Sequence, residues 1–117
     1  MSGRLAEVSP RELADRLAAG EAIALLDVRE PEERALCAIG LEPPAVELHV
    51  TMGQLPAQLE AIRRAVEGRP LVVYCHHGVR SEMAARWLAA RLPGSVANLV
   101  GGVDAWSLTV DPKVPRY

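Results

Sequence analysis

Two uninterrupted apolar runs, Ala22–Leu26 and Leu71–Cys75, each open directly into a polar cluster, and helical patterns lie before, between and after them. A run that is apolar at every position suits a strand covered on both faces, as inside a parallel sheet. Parallel neighbours cannot be joined by hairpins, so the crossovers between them must be long and are usually helical. Ser9-Pro10-Arg11-Glu12 supplies an N-cap, a proline at the first helical position and a glutamate three residues after the cap. Leu13 and Leu17 then recur four apart with Ala14 and Ala18 beside them, and Gly20 stops the helix.

The remaining chain repeats the alternation. Pro31–Leu36 has room for one or two turns of helix, and Cys37–Gly53 is irregular, with Gly40, Pro43 and Pro44 and a short strand at Ala45–Val50. A second helix is predicted from Pro56 to Val66, with Leu55, Leu59, Ile62 and Val66 on one face and Gly68 beyond it. After the strand Leu71–Cys75, His76–Arg80 reads as a loop, and Ser81-Glu82-Met83 opens a third helix. Its stripe is Ala84, Trp87, Leu88 and Leu92, ended by Pro93-Gly94. Val96–Val100 is another apolar strand, Gly101-Gly102 turns it into a short segment around Ala105-Trp106, and Asp111–Tyr117 is a tail. The expectation is an α/β fold: a central, mostly parallel sheet with helices on both faces, in a single domain spanning residues 1–117. Ligands of such sheets collect outside the carboxyl ends of the strands. Asp27–Glu30, Cys75–Arg80 and Gly101–Asp104 all fall there.

Composition narrows the function. The only aromatics are Trp87, Trp106, Tyr74 and Tyr117, so stacking platforms for single-stranded nucleic acid are lacking, and a net charge of −2 argues against a nucleic-acid partner. The charge is uneven, about −6 over residues 1–60 and +4 over 61–117, a field that draws anions toward the second half. No apolar run exceeds five residues, far below the ~18–20 of a membrane span, so no membrane association is expected. Met1–Arg4 leads straight into polar sequence, so no secretory leader is expected either and the anticipated location is cytoplasmic. In that reducing compartment the two cysteines, Cys37 and Cys75, are read as thiols.

Chemistry concentrates in Val72-Val73-Tyr74-Cys75-His76-His77-Gly78-Val79-Arg80-Ser81. A buried strand delivers Cys75 to its carboxyl end, and a tight loop then enters a helix. The free N–H groups of a helix start, with those of the loop, make an anion-binding nest. Gly78 permits a backbone shape that a side chain would hinder. A cysteine at the base of that nest has its thiolate favoured, and the thiolate is the nucleophile. His76, His77 and Arg80 are expected to add donors and positive charge at the mouth, for an anionic substrate attacked at sulfur or phosphorus. A metal site of Cys75, His76 and His77 is not expected, because adjacent residues of an extended chain point apart.

These fragments resemble those of single-domain rhodaneses, which are sulfurtransferases. The resemblance rests on Leu26-Asp27-Val28-Arg29-Glu30, on the Cys75–Ser81 loop and on Gly101-Gly102-Val103-Asp104-Ala105-Trp106, in that order. The ending Val110-Asp111-Pro112-Lys113-Val114-Pro115-Arg116-Tyr117 is similar to that of rhodanese domains attached to sulfur-carrier adenylyltransferases. Ile39–Met52 departs from the usual family run, keeping only Ala45 and His49-Val50. The resemblance implies a Cys75 persulfide, charged by a small anionic donor such as thiosulfate and discharged to cyanide, a thiol or a sulfur-carrier protein, with no cofactor. His76, His77, Gly78, Val79, Arg80 and Ser81 would form the binding loop. Asp27 and Arg29 would order its rim, as a turn-stabilising pair, or touch substrate directly.

Three classes therefore stand: an active sulfurtransferase, a rhodanese-like sulfur-relay or interaction module, and a phosphatase or arsenate reductase of the same fold. Loop length separates the first from the last. Arg80 lies five positions after Cys75, and the resemblance implies six-residue loops in sulfurtransferases against seven in the phosphatases. Cys37 has no comparable nest and is read as structural, with a resolving thiol as the alternative. Trp106, four after Gly102, is read as core.

Overall fold

The computed structural model describes residues 5–117; Met1–Arg4, on which the reading of the leader rests, lie outside them. The sheet has five strands, β1 (Ala6–Val8), β2 (Ala24–Asp27), β3 (Val46–His49), β4 (Leu71–Tyr74) and β5 (Val96–Leu99), in the order β1-β5-β4-β2-β3. Every pairing is parallel. The helices are α1 (Pro10–Ala18), α2 (Pro31–Leu36), α3 (Leu55–Val66), α4 (Val79–Ala89) and α5 (Gly102–Thr109).

Alternation along the strands divides the core. Ala24, Leu26, Leu71, Val73 and Cys75 point to the face covered by Leu55, Ile62 and Val66 of α3 and Ala84, Ala85 and Leu88 of α4. Leu25, Val72, Tyr74 and Leu99 point to the other, covered by Leu13 of α1 and by Val103 and Trp106 of α5. Adjacent β2 and β4 are buried throughout, which explains why both read as unbroken apolar runs. Among the described residues no helix is long and apolar enough to cross a membrane.

The differences from the sequence reading are local. Strand β1 was not foreseen: only Val8 of its three residues is buried, so an edge strand leaves no apolar run to read. Strand β2 begins at Ala24 rather than Ala22 and runs through Asp27, whose polar side chain is paired at the strand end. Helix α4 starts at Val79, two residues before the expected Ser81, because Gly78 takes a left-handed φ of 101° and turns the chain at once into helix. It ends at Ala89, short of Pro93, and its innermost residues are Ser81, Ala84, Ala85 and Leu88, while Trp87 is only partly buried under Arg91. The short segment after Gly101 is a full helix, α5.

Candidate active site

Strand β4 ends one residue before Cys75, whose side chain is only 1% exposed at the base of the loop to α4. Its sulfur accepts from the backbone N–H of Gly78 at 3.1 Å and of Ser81 at 3.3 Å, and as a thiol it donates to Ser81 Oγ at 3.3 Å. Both amides belong to the start of α4, Gly78 as cap and Ser81 in the first turn. Helix geometry leaves the first-turn amides of Val79 and Arg80 without intrahelical acceptors as well. A sulfur carrying negative charge is therefore met by aligned N–H dipoles rather than by a side-chain cation.

The donors are held from outside the loop. Asn98 of β5, buried between strand and loop, receives the Ser81 hydroxyl at 2.6 Å and donates to the Gly78 carbonyl at 3.1 Å. It thus fixes both residues whose amides face the sulfur. The start of α5 fixes the other end: Val103 N–H donates to the Cys75 carbonyl at 2.9 Å and Asp104 N–H to the His76 carbonyl at 3.1 Å. Gly102 makes that approach possible, since a Cβ there would fall 2.4 Å from both carbonyl oxygens. The fragment Gly101–Trp106 was noticed in the sequence; Asn98 was not. A single polar residue between Ala97 and Leu99 in an otherwise apolar strand was the available signal. Asn98→Ala is expected to lower turnover roughly tenfold to a hundredfold, as misplaced donors commonly do. Steady-state kinetics beside a thermal melt would check it, and unchanged turnover would remove Asn98 from the site's support.

The Arg80 charge expected at the mouth is paired with a carboxylate. Both nitrogens of the Arg80 guanidinium fork engage Glu33 of α2, at 2.7 and 2.9 Å. Arg80, first of all, holds the Glu33 carboxyl down at about 2, so the pair stays ionised at neutral pH. Burial, followed by the charge of neighbouring His77, pushes His76 below the ordinary histidine value and favours its neutral form. The rim is therefore a set of compensated charges. His76 and His77 also do not diverge: their rings stack with centroids 3.8 Å apart, because the chain is curled here rather than extended. With Asp104 they offer ligand atoms within 4.8 Å of one another, but Asp104 is forked by Arg116 at 2.9 and 3.3 Å.

Asp27 and Arg29 are fully buried, which favours the rim-ordering, turn-stabilising reading over direct substrate contact. Their side chains pair at 2.8 and 2.9 Å, and Arg29 goes on to the Cys37 carbonyl at 2.6 Å and the Glu33 carbonyl at 3.3 Å. Arg29 therefore ties β2 to both ends of α2, the helix that carries Glu33 to Arg80. The ion pair gains little net stability against its desolvation, but removing one partner would strand the other. Cys37 Sγ lies 3.7 Å from the same guanidinium, so it is packed beside a cation and not in bare apolar surroundings.

The fold agrees with the comparisons to known proteins. Residues 9–109 match the Rhodanese-like domain family. The chain belongs to that family. A sulfurtransferase of Allochromatium vinosum is 36% identical over 101 residues, covering 86% of this chain and 87% of that protein. An adenylyltransferase and sulfurtransferase of Zea mays is 32% identical over 114 residues, 96% of this chain but only 24% of that protein. The rhodanese-like domain protein of Staphylococcus aureus has a crystal structure that superposes with a TM-score of 0.75 at 25% identity, over 97% of this chain and 99% of that one. The rhodanese fold here places Cys75 and its loop at the carboxyl edge of the sheet. A cavity lined by Val66, Leu71, Leu92, Ser95 and Val96 opens at the opposite edge, and no cysteine lines it.

Proposed function

We propose that this rhodanese-like protein transfers sulfane sulfur through a persulfide on Cys75. The observation that carries the reading is the pair of amides, Gly78 and Ser81, aimed at one buried sulfur. The Cys75 thiolate attacks the outer sulfur of a donor such as thiosulfate. The donor S–S bond breaks, sulfite leaves with the bonding pair, and Cys75–S–S⁻ remains. A nucleophile such as cyanide or a thiolate then attacks the outer sulfur, and the protein S–S bond returns its electron pair to Cys75. Both steps place negative charge on sulfur inside the ring of N–H dipoles, where preorganised donors act most strongly. Arg80 meets the anionic donor with the N–H groups that its fork to Glu33 leaves over. The cycle as written uses no cofactor.

A sulfur-relay role with a protein acceptor is the second reading. Exposed Val79 and Met83 lie on the loop side of α4, and Met83 borders an apolar groove with Met52, Leu55, Pro56 and Trp87. That surface suits a polypeptide acceptor better than cyanide requires. The common element of both readings is the persulfide. On incubation with thiosulfate, intact-mass measurement and peptide mapping should find one added sulfur, on the peptide containing Cys75. Addition at Cys37, or none at either cysteine, would defeat the proposal.

A further inference from the structure

The tail after α5 folds back over the loop. Val114 is buried, with its carbonyl accepting from Ser107 Oγ, and Arg116 reaches Asp104. Tyr117 then lies between two groups that the sequence separates widely. Its hydroxyl donates to Glu33 Oε2 at 2.8 Å and accepts from Arg29 Nη1 at 2.9 Å. Its ring stacks on His76 with centroids 3.8 Å apart and planes 10° from parallel. Burial pushes its phenol up to about 12, so the proton donated to Glu33 is present at working pH.

We propose that Tyr117 is a positioning residue for the donor side of the sulfur-transfer site, bridging buried Arg29 to the Glu33–Arg80 pair and bracing His76. The inference rests on the sulfur-transfer reading above. Glu33 Oε1 receives the Glu30 amide at 3.1 Å and one Arg80 nitrogen at 2.7 Å; Oε2 receives the other Arg80 nitrogen at 2.9 Å and the phenol. The Tyr117 hydroxyl is thus the contact that ties Oε2 to the rigid Asp27–Arg29 pair, and through Oε2 it sets where Arg80 presents its remaining N–H groups. The ring adds a wall beside His76, so the tail constrains the loop on two sides. A side chain that only stabilised the tail would need neither contact.

The test is ping-pong kinetics with thiosulfate and cyanide on the whole chain, comparing wild type with Tyr117→Phe, Tyr117→Ala and Glu33→Gln. Tyr117→Phe keeps the stack and loses the bridge. It should raise the KM for thiosulfate about threefold to tenfold, the loss typical of one net hydrogen bond, with the KM for cyanide unchanged. Tyr117→Ala should raise it further. Because Tyr117 acts through Glu33, the double variant Tyr117→Phe/Glu33→Gln should be little worse than Glu33→Gln alone. A merely structural role would instead lower the melting temperature and the fraction of persulfidated protein while leaving the thiosulfate KM in place; that result, or strict additivity of the two substitutions, overturns the inference. Absence of sulfur transfer by the wild type would overturn the proposed function and this role together, whereas active wild type with unaltered thiosulfate KM in both Tyr117 variants overturns the role alone.

Discussion

Cys75→Ser is expected to abolish thiocyanate formation from thiosulfate and cyanide, a fall of roughly a thousandfold or more, since the group that forms the covalent intermediate is gone. A serine hydroxyl is not ionised at neutral pH and cannot carry a second sulfur. The substitution should leave the fold intact. The Gly78 and Ser81 amides and Ser81 Oγ, which surround Sγ now, remain as hydrogen-bonding partners for a hydroxyl at the same place. Cys37→Ser is the matched control. Its sulfur meets the Arg29 guanidinium at 3.7 Å and faces no ring of amides, so most of the activity should remain. Turnover by Cys75→Ser near the wild-type level, with circular dichroism showing both variants folded, would mean that the chemistry lies elsewhere.

The architecture was readable because its central strands are buried on both faces. Ala24–Leu26 and Leu71–Tyr74 carry apolar side chains to α3 and α4 on one side and to α1 and α5 on the other, which leaves no polar position to blur the run. The start of α1 was readable for a different reason: Ser9 Oγ accepts from the Glu12 amide, a local contact encoded within four residues. Edge strand β1 lacks both signals. At the site, the sequence indicated a nest at Cys75 but not its supports. Asn98, Tyr117 and Glu33 reach the loop only through tertiary packing, over separations of 17 residues for Ser81–Asn98, 47 for Glu33–Arg80 and 84 for Glu33–Tyr117. The same long-range contacts explain why the pairing of Arg80 was not foreseen. A count of basic residues near Cys75 includes Arg80, and nothing local reveals that a carboxylate from α2 occupies it.

Inserting one glycine between His77 and Gly78 should cost sulfur transfer about a hundredfold, on the order of 3 kcal/mol of transition-state stabilisation, because donor placement around the sulfur is what the loop supplies. The structure shows where the extra residue must go. His76 is held by the Asp104 amide, and the Gly78 carbonyl and Ser81 by Asn98, so the insertion has to bulge between His76 and Gly78, at the peptide that carries the Gly78 amide. Gly78 is itself closely fitted. It needs its left-handed φ of 101°, and a Cβ there would lie 3.1 Å from the Gly101 nitrogen. The bulge therefore displaces the Gly78 amide from its 3.1 Å contact with Sγ while Ser81 stays near it. The widened ring of N–H groups fits a tetrahedral oxyanion better than a single sulfur. Competitive inhibition by phosphate or arsenate should accordingly strengthen as sulfur transfer falls. The wild type, with the shorter loop, should hydrolyse aryl phosphates negligibly while turning over thiosulfate. If the folded insertion variant kept full sulfurtransferase activity, ring size would not discriminate between the two chemistries. A phosphatase or arsenate reductase built on the same strand, loop and helix would then have to be tested on equal terms.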